Sequence, residues 1–180
     1  VFAGRKAWVR MLESGLNSPV TTSAGRLFDA VASIAGLRQI SGFEGQSAME
    51  LEWAIRNDVP PLPYSLEITD RSGVLVLDWE PMIRTILRDR ERGMPVAAIA
   101  RGFHDALVAG IVDVAQRVGE ERVVLSGGCF QNRYLTEQAV HSLRAAGFRP
   151  YWHQRVPPND GGIALGQAYA SARRSERTTD

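Results

Sequence analysis

An α/β architecture is predicted by three observations. The hydrophobic period changes along the chain: helical spacing to about residue 57, alternation near 64–78, then helical spacing again from Pro81. Val123-Val124-Leu125 is a short aliphatic run that stops at Ser126-Gly127-Gly128, and a helical stripe of Leu135, Ala139, Leu143 and Ala146 follows. Residues 148–154 read as another strand, which leads through Pro157-Pro158-Asn159-Asp160-Gly161-Gly162 into a last helix. A helix between the two strands requires a crossover, so the strands are expected to run parallel. Both glycine turns then lie at the carboxyl ends of adjacent strands, the edge where open α/β sheets bind ligands.

Each element follows from local chemistry. Residues 5–16 carry Ala7, Trp8, Met11 and Leu12 at helical spacing, and Gly15-Leu16-Asn17-Ser18-Pro19 ends the run. Thr22 or Ser23 is expected to cap a second helix that runs to about Ala35. Leu27, Phe28, Val31 and Ile34 share its inner face, and Gly36 is its C-terminal glycine. A loop over 38–46 holds Gly42 and Gly45, and a third helix is expected over 47–57, ended by Val59-Pro60-Pro61-Leu62-Pro63. The alternating stretch 64–69, a four-residue loop Asp70-Arg71-Ser72-Gly73 and the apolar stretch 74–78 predict a β-hairpin. A helix over 81–92 should turn Ile83, Ile86 and Leu87 inward. A longer one should run from Met94-Pro95 to about Val118 on Ile99, Phe103, Leu107, Ile111 and Val114. The last helix is expected over 163–172, with a polar tail from Arg173 that frays. The organisation expected is a helical connecting segment over 1–63, an α/β lobe with flanking helices over 64–175, and a tail over 176–180.

With 180 residues, 44% hydrophobic and 23% charged, the chain has the material for one globular core. A net charge of +1 gives no electrostatic case for a nucleic-acid or membrane surface. No apolar run approaches the ~20 residues of a membrane helix. A single cysteine, Cys129, excludes an internal disulfide and fits a reducing, cytoplasmic compartment. The start, VFAGRKAWVR, has neither an initiating Met nor a signal-peptide core, as expected of a fragment or an excised domain.

Several side chains could carry chemistry. Gly127-Gly128 between strand and helix can form a phosphate cradle, because glycine admits close backbone approach and a helix start presents free N–H groups. The same pair can also be a plain tight turn. Asn132, near the start of the following helix, could hold a ribose hydroxyl or a phosphate, or cap the helix. Asp160 could ligate a hard cation or cap the last helix. Asp29 could accept two ribose hydroxyls or sit on a polar face, and Arg26 and Glu44 could each face a ligand. Gly42 and Gly45 allow either a close backbone approach or a plain flexible loop. His104, His141 and His153 show no paired metal spacing: His104 reads as structural, His141 as solvated, and His153 as a strand-end residue that could either approach the ligand edge or play no part there. Cys129 reads as a packing residue.

Four stretches together carry a resemblance: TTSAGRLFDAVASIAGL (21–37), GFEGQSAMELE (42–52), LSGGCFQNRYL (125–135) and PPNDGGIALGQA (157–168). In this order they resemble the carboxy-terminal part of the HypF family of hydrogenase-maturation carbamoyltransferases. The family's large domain is similar to the tRNA threonylcarbamoyl-transferase enzymes and belongs to the actin-like ATPases built of two ribonuclease-H-like lobes. The resemblance implies the second lobe of that fold. It implies that Asp29 and Gly42 hold the nucleoside of ATP or carbamoyl adenylate, and that Gly127, Gly128 and Asn132 hold phosphate and ribose. It implies that Asp160 completes a divalent-metal site (Fe, Zn or Mg) whose histidine ligands lie in a first lobe not contained here. The implied activity passes a carbamoyl group, made from carbamoyl phosphate and ATP on absent upstream domains, to the C-terminal cysteine of a HypE-like acceptor protein, with no nucleic acid or membrane. The competing expectations are a tRNA threonylcarbamoyl or small-metabolite carbamoyltransferase lobe, and a non-catalytic nucleotide-binding module.

Overall fold

The helical stripes and aliphatic runs form seven helices and four strands in a computed structural model that describes residues 5–177, with side chains over 6–174. In chain order these are α1 (Arg5–Ser14), α2 (Ala24–Ile34), α3 (Gln46–Trp53), β1 (Glu67–Arg71) and β2 (Val74–Asp78). They continue as α4 (Glu80–Glu91), α5 (Val96–Val118), β3 (Arg122–Leu125), α6 (Arg133–Ala145), β4 (Arg149–Trp152) and α7 (Ile163–Arg177). Short 3-10 segments, Gly128–Gln131 and Asp160–Gly162, precede α6 and α7.

β3 and β4 pair in parallel from Arg122↔Arg149 to Leu125↔Trp152, and α6 makes the crossover, as the sequence predicts. β1 and β2 form a separate antiparallel pair. Phe28 and Val31 of α2, Leu51 of α3, Met82 and Ile86 of α4, Ile99 and Phe103 of α5, and Leu135 and Leu143 of α6 join in one buried cluster. Each such side chain contributes about 1.5–3 kcal/mol of transfer free energy. The cluster draws on both sides of the division expected at residue 63, so the helical segment and the lobe share a core.

Several boundaries differ from expectation. The hairpin loop has two residues, not four: Arg71 pairs with Val74, and Ser72 and Gly73 take φ of 57° and 83°. Two left-handed residues twist the chain in the sense the flanking strands require. Helix α3 stops at Trp53 instead of continuing to residue 57. The chain turns there instead, with the Val59 N–H donating to the Arg56 carbonyl at 3.3 Å and Arg56 paired to Asp58 through bonds of 3.0 and 2.7 Å. In α4, Ile86 is buried but Leu87 is 44% exposed. Met82, Ile86 and Asp89 share the inner face instead, and the buried Asp89 accepts a 3.0 Å hydrogen bond from the Tyr64 hydroxyl. Ser23 occupies the N-cap position of α2 without a side-chain cap bond. The helix expected to end at residue 172 runs on to Arg177, and residues 178–180 lie outside those described.

One polar residue sits at the centre of the core. His104 is 0% exposed, with its Nδ1 2.7 Å from the Ala100 carbonyl and its Nε2 2.9 Å from Asn132 Nδ2. Since a carbonyl only accepts, Nδ1 carries the proton and Nε2 accepts from the amide. Burial lowers the imidazole pKa from its ordinary 6.5, opposed by the Ala100 bond and the Asp105 charge. The ring is neutral and edge-packed against Phe28, Phe103 and Tyr134.

Two predictions test this core. A helix-interior glycine replaced by alanine ordinarily gains ~1 kcal/mol. A Cβ on Gly102, however, would lie 2.3 Å from the Leu62 carbonyl oxygen. Gly102→Ala is therefore expected to lose about 1–3 kcal/mol in urea denaturation; a gain would show that the 62–64 segment does not pack there. The second concerns pH. The unfolded chain protonates His104 at a higher pH than the folded chain, so its contribution is whole above 6.5 and lost as pH falls below it. The thermal midpoint should fall between about pH 7.5 and pH 5.5, and His104→Gln should flatten that dependence.

Candidate functional site

Helix α2 and the loop before α3 enclose an open concavity of about 750 Å³, lined by Ser23, Arg26, Asp29, Ser41, Gly42 and Glu44 among others. The structure thus brings together Asp29 and Gly42, two of the residues singled out in the sequence, with Arg26 and Glu44 beside them. Amphipathic spacing explains Asp29: Phe28 and Val31 turn into the core, which leaves Asp29 on the rim, 30% exposed. Its carboxylate meets the Arg26 guanidinium at 2.9 Å. Gly42 is held from behind, its N–H donating to Gln46 Oε1 at 2.7 Å. Gln46 in turn donates to Glu50 at 3.1 Å, and Arg38 clamps Glu50 with a two-pronged ion pair that holds the Glu50 pKa below its ordinary value. A Cβ on Gly42 would meet only Gln46 Oε1, at an ordinary 3.5 Å. Packing does not demand glycine there.

The segment 128–131, which follows the glycine turn after β3, touches α2, but none of its residues lines the concavity. Gly127 has φ 101° and ψ 161°, a conformation open essentially only to glycine. Its N–H donates to the Pro158 carbonyl at 2.9 Å, which ties the first glycine turn to the second. Gly128 has no such demand: a Cβ there would come no closer than 3.9 Å to Asn159. Asn132 points inward. It is 8% exposed, its Oδ1 accepts the Leu135 N–H at 2.8 Å as the cap of α6, and its Nδ2 donates to His104. Of the two readings open in the sequence, the cap is the one the geometry displays. These two bonds use one N–H and one carbonyl lone pair of the amide.

Asp160 lies on the second glycine turn and is exposed. The cap there is Asn159, whose Oδ1 accepts the Gly161 N–H at 3.1 Å, so capping does not use the Asp160 carboxylate. Among the described residues no group of three His, Cys, Asp or Glu is placed to hold a metal. One carboxylate is too few for a resident metal, which normally takes about three protein ligands. These residues alone do not fit one. Burial pushes the Cys129 thiol pKa up, so it remains a packing thiol, as read from the sequence.

Sequence reasoning missed three features. Ser41 lines the concavity, and its hydroxyl lies 2.7 Å from that of Ser47. Gln46 braces Gly42 from four residues on, a helix-start spacing that was legible. Ser126 Oγ lies 3.0 Å from His153 Nε2 across the ends of β3 and β4. Only the strand register, Leu125↔Trp152, makes those two neighbours.

Comparison with known proteins gives this geometry its context. Residues 3–167 match the family described as carbamoyltransferase, Kae1-like domain, second subdomain. The chain is 41% identical over 163 residues to carbamoyltransferase HypF of Synechocystis sp., covering 90% of this chain and 21% of that protein. It is 43% identical over 166 residues to HypF of Rhizobium leguminosarum bv. viciae, covering 89% and 21%. A crystal structure of full-length HypF in its phosphate- and nucleotide-bound form superposes with a TM-score of 0.83 at 38% identity, covering 91% of this chain and 26% of that one. The chain therefore spans about a fifth of the length of these curated relatives. It shares the fold of a HypF lobe, as the four motifs imply. With the match running through nearly all of its residues, the chain belongs to the HypF carbamoyltransferase family, in the second subdomain of the Kae1-like domain.

Proposed function

We propose that this chain positions a nucleotide for carbamoyl transfer, as the lobe that holds carbamoyl adenylate while its carbamoyl group passes to a cysteine thiolate of a HypE-like protein in hydrogenase maturation. The observation that carries this reading is the convergence of Asp29 and Gly42 on one concavity, with Asp29 on a helix that also touches the segment after the Gly127-Gly128 turn. The Asp29 carboxylate is a double acceptor suited to vicinal ribose hydroxyls, with Arg26 giving way to them. Gly42 and Gly128 leave the backbone bare where a nucleoside and its phosphate would approach. Positioning of this kind converts a bimolecular transfer into an effectively unimolecular one.

In the transfer, the acceptor sulfur attacks the carbamoyl carbon, the bond from carbon to the adenylate phosphate oxygen breaks, and AMP leaves. The acceptor thiol belongs to the partner. Cys129 is half-buried with a raised pKa, which supports assigning it no part in the chemistry. The HypF relative solved with phosphate and nucleotide supports a nucleotide ligand, and none of the described helices is long and apolar enough to cross a membrane. Asp160 is assigned one ligand position of a divalent metal, to be completed by residues outside this chain; no step is derived through that metal.

The test uses a HypF protein of full family length carrying this sequence, with labelled carbamoyl phosphate, ATP and purified acceptor. Asp29→Ala should raise the KM for carbamoyl adenylate on the order of tenfold or more, as expected for loss of a charge-assisted hydrogen-bond partner. Asp160→Ala should abolish transfer and spare carbamoyl adenylate formation. Loss of both steps in Asp160→Ala, or an unchanged KM in Asp29→Ala, would overturn the assignment.

A further inference from the structure

We infer that His104 is a positioning residue for the nucleotide site: as a neutral imidazole it fixes the Asn132 amide, and through it the glycine turn, against the helix that bears Asp29. The inference rests on the nucleotide reading above and extends it to a residue that touches no ligand. Three observations support it.

The first is polarity. Ala100 O can only accept, so His104 Nδ1 must donate, and Nε2 is left as an acceptor aimed at Asn132 Nδ2 from 2.9 Å. That acceptor decides which way the amide faces. The amide NH2 turns to the ring and Oδ1 turns to the Leu135 N–H at 2.8 Å. A chain of directed hydrogen bonds thus runs from α5 through the imidazole to the first turn of α6. The second is position. Asn132 closes the 3-10 turn that Gly128 opens, and its own N–H donates to the Cys129 carbonyl at 3.1 Å. An amide held from the core therefore holds the phosphate-facing turn. The third is the link to α2. The Phe28 ring stands edge-on to His104 with centroids 5.4 Å apart, and the next residue is Asp29. One buried ring contacts both the helix of the nucleoside seat and the cap of the glycine turn.

The closing experiment separates this role from simple packing. His104→Phe retains a ring against Phe28, Phe103 and Tyr134 but removes the acceptor, leaving the buried Asn132 N–H unpaired. His104→Gln loses the ring but offers a carbonyl oxygen to the same N–H. Both variants are made in a HypF protein of full family length carrying this sequence, alongside Asp29→Ala. The readouts are KM and kcat for carbamoyl adenylate in the transfer step, with the thermal midpoint of each variant. Positioning predicts that His104→Phe raises KM on the order of tenfold with a smaller change in kcat, and that His104→Gln recovers most of it. The reverse order, with Phe near wild type and Gln impaired, would show a packing role and overturn the inference. So would a lowered thermal midpoint in both variants with KM unchanged. An effect of Asp29→Ala without one of His104→Phe sinks the positioning role alone. An effect of His104→Phe without one of Asp29→Ala overturns the α2 seat, and with it the assignment above, and keeps the positioning at the turn.

Discussion

A buried imidazole that can accept at only one nitrogen constrains much of this lobe. His104 is enclosed by α2, α5 and α6, and its two ring nitrogens are committed to Ala100 and Asn132. An unpaired polar group in that position would carry the full cost of its desolvation. The ring therefore has one tautomer, the amide one orientation, and α6 one starting point. The start of α6 is further tied down by side chains: the Tyr134 N–H donates to Glu52 of α3 at 3.0 Å, and its hydroxyl donates to Asp105 of α5 at 2.7 Å. The turn that carries Gly127 and Gly128 inherits its place from these bonds.

The other half of the site is held differently. The loop bearing Gly42 depends on the relay from Arg38 through Glu50 and Gln46, which lies near the surface. Exposed ion pairs are worth little in water and are screened by salt. The Gly42 loop is thus braced by adaptable contacts, and the turn before α6 by buried ones.

Part of the surface is apolar. Val124 and Tyr151 are register partners on one face of the β3–β4 pair and are 71% and 45% exposed, while Leu125 on the opposite face is 3% exposed. Parallel strands are ordinarily covered on both faces. Trp8 and Leu12 of α1 and Ile163, Leu165 and Tyr169 of α7 are exposed as well. The covered face, which α6 and the core protect, is the one that supports the glycine turns.

Much of this was legible one stretch at a time. The strand, Gly-Gly and helix of 123–146, the second strand and the proline-bounded hairpin follow from period and punctuation, which depend on residues a few positions apart. Four motifs were long enough to carry the family. Leu87 and the hairpin loop were misplaced because a one-residue shift in a helix face or turn leaves the local pattern almost unchanged. Asp89 turned inward only because Tyr64, distant in sequence, supplies its partner. The same limit applied at the site. Asp29, Gly42, Gly127, Gly128, Asn132 and Asp160 could each be picked out by type and neighbours, but not arranged. The sequence by itself determined which segments are strands, turns and helices, because backbone preference and amphipathic spacing are local. Only the tertiary structure decided that Asn132 faces His104, that Asn159 and not Asp160 caps its turn, and that Asp29 and Gly42 share one concavity. Those outcomes depend on the directions of hydrogen bonds between residues that meet only when the chain is folded.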